Sequence, residues 1–237
     1  MLRFFSALLV MCLTFNAHAA DSYITRLLNK PVPGGVAVIE LGTGPQAPKA
    51  TYQGKPVLVV KEQNTWRAIV GIPLTVKPGN QHISSGGRDV SFNVGSKKYP
   101  EQHITLKNKR QVNPNPADIK RIDNELAIQI KAYRTFSPNI PSNLLLDKPV
   151  NGPLSSKFGV RRFFNGNTVV VDHGQGFISM FCHMSKIDTR VGQHLARGDV
   201  VGKVGSTGRA TGPHMHWNVS LNDARVDPAI FIGAFQP

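Results

Sequence analysis

Between residues 32 and 106 the chain is built of short apolar runs separated by Gly, Pro and Asn: GGVAVIEL, KPVLVV, TWRAIVGIPL, RDVSFNV and QHITL. Runs of this length with turn residues between them predict β-strands, and their number predicts a small antiparallel sandwich or barrel. The pattern changes at Asn113-Pro114-Asn115-Pro116. Asn115 is the expected N-cap, Pro116 takes the first helical position and Asp118 falls in the first turn. Ile119, Ile122, Leu126, Ile130 and Tyr133 then recur at spacings of three and four. This predicts an amphipathic helix of about five turns ending before Pro138, its apolar stripe packed on one of the β-domains. A cofactor or partner groove is the alternative use of that stripe.

Residues 137–147, with Pro138, Pro141 and two asparagines, read as a linker. Beyond it the pattern is again β. Strands over 167–172 and 177–183 flank His173-Gly174-Gln175-Gly176, a hairpin signal that places Ser179, Phe181 and His183 on one face. The dense glycines from 191 to 208 mark tight turns between short strands. A phosphate-binding loop is the competing reading, but no helix pattern follows to supply an anion-binding terminus. The expected fold is therefore mainly β, in four parts. These are a leader (1–19), an amino-terminal β-domain (20–112), a helix with linker (113–147) and a carboxy-terminal antiparallel β-domain (148–237).

Composition adds compartment and charge. Residues 1–19 have a basic start at Arg3, an apolar run through Leu8, Leu9, Val10, Met11 and Leu13, and Ala17-His18-Ala19. That is the pattern of a cleaved secretory signal, too short for a membrane span and followed by no second one. A periplasmic or secreted protein is expected. Cys12 leaves with the leader, so Cys182 has no partner for an intramolecular disulfide. The net charge is +14, and loss of Arg3 with the leader makes it one less, +13. Outside a bacterial membrane such charge suits peptidoglycan or other anionic envelope polymers. Nucleic acid is the alternative, but no helix-turn-helix, zinc-finger or aromatic RNA-binding pattern accompanies the charge.

The candidate chemistry centres on TGPHMHWN at 211–218. In a strand, residues i and i+2 share a face, so His214 and His216 present two imidazoles side by side. Such a pair can hold a metal, or set one ring on a metal and one on a substrate; a solvated pair is the alternative. His183 comes from a different strand. His82 and His103 have no Cys, Asp or Glu at ligand spacing and read as surface or packing residues, and His194 lies in a turn-rich loop.

GPLSSKFGVR (152–161), VVVDHGQGF (169–177), FCHMS (181–185), VGQHLARGDVVGKVGSTGRATGPHMHW (191–217) and VDP (226–228) together resemble the lysostaphin-type, or LytM-type, zinc metallopeptidases, which cut peptide cross-links in bacterial cell walls. The part before 148, including NKRQVNP at 108–114, resembles the β-rich amino-terminal domain that accompanies some of them. The resemblance implies a zinc ion held by the His and Asp of an HxxxD motif and by the second His of HxH. It makes His216 a zinc ligand and casts His214 and His183 as the two histidines that orient the water and stabilise the tetrahedral intermediate. Zinc polarises the amide carbonyl and acidifies its water, while the imidazoles relay a proton or donate to the oxyanion.

One departure qualifies the match. HxxxD belongs between SSKFGVR and the strand carrying VVVDHG, yet Arg161, Arg162, Phe163, Phe164, Asn165, Gly166 and Asn167 run straight from one to the other. Two of the three implied zinc ligands are absent, as a deletion between two copies of FFNG would leave them. Three functions follow as expectations: an active cell-wall endopeptidase, though with catalysis impaired in this copy by the missing ligands; a non-catalytic relative that binds peptidoglycan or activates another cell-wall hydrolase; and a truncated chain with a poorly folded carboxy-terminal domain.

Overall fold

The computed structural model describes residues 22–99, 115–154, 158–159, 166–208 and 210–232. The leader, the Asn113-Pro114 turn, the QHITL run with His103, and residues 160–165 of the junction lie outside the described residues.

A short helix, α1 (Tyr23–Leu28), opens the described chain, with the Ser22 hydroxyl accepting from the Thr25 N–H at 3.1 Å. Strands β1 (Val36–Thr43), β4 (Leu58–Glu62) and β5 (Thr65–Gly71) form an antiparallel sheet in the order β1-β5-β4. Strands β2 (Ala50–Tyr52), β3 (Lys55–Pro56), β6 (Gly79–Ser85) and β7 (Arg88–Val94) form a second, in the order β3-β2-β6-β7. Ala37, Ile39, Tyr52, Val59, Ala68, Val70 and Ile83 fill the space between them, so this half is a sandwich, as the strand pattern predicts.

Helix α2 (Pro116–Tyr133) starts where expected, with the Asn115 side chain accepting from the Asp118 N–H at 2.8 Å. Its packing differs from expectation. Of the predicted stripe, Ile119 and Leu126 remain 46% and 42% exposed, and Tyr133 is the buried residue of the helix. The outer face of β1-β5-β4 is covered by the carboxy-terminal half. The helix is held at its last turn instead: the Tyr133 hydroxyl donates to Met180 Sδ at 3.1 Å, and the Arg225 guanidinium lies 3.6 Å from the ring centre.

The carboxy-terminal sheet contains β8 (Val169–Gly174), β9 (Phe177–Cys182), β12 (His216–Leu221) and β13 (Ala224–Val226) in the order β13-β12-β9-β8, with a small ribbon of β10 (Lys186–Ile187) and β11 (Gly202–Lys203) beside it. The expected hairpin joins β8 and β9 through Gln175 and Gly176, at φ 46° and 75°. That is the left-handed pair a two-residue turn needs, and glycine takes it without strain.

The two halves share a second core. Leu58, Val60 and Ile69 from the sandwich pack with Phe177, Val219, Leu221, Val226 and Phe231, the last in a 3-10 turn over Pro228–Phe231. Side-chain amides from two hairpin turns fasten the seam. Asn222 accepts from the Gly71 N–H at 2.7 Å and donates to the Gly71 carbonyl at 3.0 Å, while Gln175 accepts from the Val59 N–H at 3.0 Å. A Cβ on Gly71 would lie 2.8 Å from the Leu221 side chain, which is why a glycine stands at this close approach. Among the described residues no helix is long and apolar enough to cross a membrane.

Candidate active site

Strand β12 begins at His216, which pairs in register with Cys182 at the end of β9. His214 lies just before the strand, where its N–H donates to the Gly205 carbonyl at 3.0 Å in an isolated bridge. Gly205 is pressed so closely on the Ser185 backbone that no side chain would fit, and this contact fixes the loop that receives His214. On the neighbouring strand the alternation expected through Ser179, Phe181 and His183 stops at Cys182. His183 has φ 67°, a left-handed conformation, and leaves the strand there. Its ring is thereby turned toward the other two histidines. Ring centres are 4.8 Å apart for His183 and His214 and 6.3 Å for His183 and His216. The three imidazoles singled out in the sequence thus meet at one end of the β9-β12 pair.

Two of the rings are oriented by backbone carbonyls. His183 Nδ1 donates to Thr207 O at 2.8 Å, and His214 Nδ1 donates to Gly212 O at 2.8 Å. With Nδ1 carrying the proton, Nε2 is the basic atom of each ring. Burial holds the His183 pKa below its ordinary value, opposed by the bond to the Thr207 carbonyl and reinforced by the neighbouring His214. A neutral, proton-accepting imidazole results at neutral pH.

Thr207 is the residue that sequence reasoning missed. Besides its carbonyl on His183, its hydroxyl donates to Met184 O at 3.0 Å and accepts from the Asn167 N–H at 3.0 Å, tying the chain just before β8, the His183 turn and the glycine-rich loop together. A β-branched hydroxyl residue between glycines in GSTGR was the available signal.

The donor set does not fit a catalytic zinc. Such sites use three protein ligands and keep an open position, and among the described residues no three His, Cys, Asp or Glu side chains are placed to hold a metal. Cys182, opposite His216, adds nothing: burial pushes its thiol up to about 11, well away from thiolate chemistry. Asp172 is turned to the Gly174 N–H of its own hairpin at 2.9 Å. His173 bonds Ser179 Oγ at 2.9 Å and lies against Phe177, a packing role. His82 sits 4.0 Å from Asp89 on the exposed sandwich surface, and His194 is exposed in its loop.

A mainly antiparallel β-protein whose carboxy-terminal sheet gathers His183, His214 and His216 at one end of the β9-β12 pair defines a class, a β-fold protein with a histidine-lined site. Two comparisons make it specific. Residues 29–97 match the peptidase family M23 N-terminal domain and residues 152–228 match peptidase family M23. A crystal structure of a candidate peptidase M23 from Pseudomonas aeruginosa superimposes with a TM-score of 0.79 at 56% identity, covering 90% of this chain and 100% of that one. The chain belongs to peptidase family M23. Curated relatives match over shorter stretches. Peptidoglycan DD-endopeptidase ShyA of Vibrio cholerae is 43% identical over 64 residues, 27% of this chain and 15% of that protein. DD-carboxypeptidase/endopeptidase Mpg of Neisseria meningitidis is 40% identical over 63 residues, 27% of this chain and 14% of the relative. The matched stretch thus spans only about one seventh of these curated relatives.

Proposed function

We propose that this chain is a periplasmic or secreted M23 protein directed at peptidoglycan, in which zinc-dependent hydrolysis of cell-wall peptides is impaired. The observation that carries the reading is the cluster of His183, His214 and His216 without a described carboxylate to complete a metal site. Curated relatives named as peptidoglycan endopeptidases support the polymer, the leader-like residues 1–19 support the compartment, and the +14 charge supports attraction to an anionic envelope. The same shortage of donors favours a second reading, a non-catalytic relative that binds peptidoglycan or activates another cell-wall hydrolase.

Binding is tested by pull-down on purified peptidoglycan across about 0.05 to 0.5 M salt, a range over which the screening length falls severalfold. Retention at low salt that fades at high salt, unchanged in His216→Ala, is the expected result. Absence of retention at low salt would sink the assignment to peptidoglycan.

A further inference from the structure

A second constellation lies at the other end of β12. The β12-β13 turn carries Asp223, whose side chain is only 11% exposed and is ringed by cations from three parts of the chain. Lys55 Nζ of β3 donates to Oδ2 at 2.6 Å, Arg134 Nε from the end of α2 donates to Oδ2 at 3.3 Å, and Arg225 of β13 donates to Oδ1 at 2.8 Å. Three positive charges thus converge on one carboxylate, leaving a surplus. Lys55, Arg134 and Asp223 border a cavity of about 240 Å³ that also meets Tyr133 and Phe136 and opens at the seam between the two halves, while Arg225 holds Asp223 from outside its lining. Lys55 and Arg134 keep 46% and 64% of their side chains exposed, so their remaining N–H groups face solvent. At about 3.3 Å per strand residue, the site is roughly 15–20 Å from His216, too far to be part of the histidine cluster.

We propose that this cavity is a binding site for a small carboxylate-bearing ligand, with Lys55 and Arg134 as its cradle and Asp223, held from behind by Arg225, as the internal carboxylate that occupies part of it. Asp223 displays how the cradle grips such a group: Lys55 and Arg134 share one of its oxygens, while Arg225 takes the other from outside the cavity. An incoming carboxylate takes the unused donors of Arg134 and Lys55, and its apolar body rests on the aromatic wall. Its source is either a free small acid or the carboxylate end of a short peptide.

The test uses the full chain and calorimetric titration with propionate, with acetyl-dialanine bearing a free terminus, and with the same dipeptide amidated. Asp223→Asn is the decisive variant. Position 223 has φ 61°, where Asn is tolerated as well as Asp, and the change removes the internal competitor without altering the turn. The free-acid probes are expected to bind, about tenfold more tightly to Asp223→Asn and about tenfold more weakly to the exposed-site variant Arg134→Gln, the effect of one charge-assisted bond. Stronger binding of propionate identifies a free acid as the source, and stronger binding of acetyl-dialanine a peptide end. Equal binding of the amidated dipeptide overturns the proposal. So does failure of Asp223→Asn, shown folded by its circular dichroism, to gain affinity for either acid.

Discussion

His173 illustrates how a single buried residue couples to solution conditions. Burial is the larger influence on it and lowers its pKa from the ordinary 6.5, while the adjacent Asp172 opposes this more weakly. The unfolded chain therefore binds a proton that the folded chain refuses. Stability is full above pH 6.5 and is lost as pH falls from there through the lowered native pKa. His183 acts with the same sign. Urea midpoints measured from about pH 8 to pH 5 are expected to decline toward acid, and His173→Gln, which keeps a polar atom for Ser179, to flatten part of that slope. An identical slope in the variant would show that His173 titrates as it does in water. The three histidines of the site were legible because HxH and the isolated FCHMS carry family spacing. The left-handed turn at His183 was not, because it depends on Thr207, which lies 24 residues later in sequence.

At the scale of elements, what was local was legible. Short apolar runs between turn residues marked β1, β4, β5 and β7, the Asn115-Pro116 cap marked the start of α2, and the two-residue turn marked the β8-β9 hairpin. Strands β2 and β6, the latter GNQHISS, carry too few apolar residues to announce themselves and exist because partners pair with them. The docking of α2 was misread since periodicity reports a stripe and not what covers it. Among the described residues the buried anchor of α2 is Tyr133 in its last turn, so the cost of truncation should be concentrated there. Tyr133→Ala is expected to lose about 3–5 kcal/mol and Leu126→Ala to stay within about 0.5 kcal/mol in chemical denaturation. Comparable losses at both positions would mean that the stripe is covered in solution.

Across the whole molecule, the boundary drawn in the sequence near residue 148 separates motifs but not cores. Leu58 and Ile69 share their contacts with Phe177 and Leu221, and Asn222 bonds the backbone of Gly71 across the seam. No sequence pattern could announce this, since each residue reads equally well as facing its own sheet. The expectation of a poorly folded carboxy-terminal domain also meets this shared core, which gives the described strands of that half buried partners in the sandwich. One cooperative transition follows. The chain has two tryptophans, Trp66 in the sandwich and Trp217 on β12. Single-tryptophan variants Trp66→Phe and Trp217→Phe should therefore report coincident unfolding midpoints, and separated midpoints would show two independent domains.

The central claim, an M23 fold with an incomplete metal site, is tested most directly by zinc content after dialysis, measured together with muropeptide release by the purified chain and by His216→Ala. Loss of supporting groups alone weakens a metal site by about 10 to 100-fold, and absent ligands cost more. Well below one equivalent of zinc, and no release that depends on His216, is the predicted result. About one equivalent, the occupancy of a complete three-ligand site, together with cleavage abolished in His216→Ala, would contradict the account and reveal a ligand set beyond the described residues.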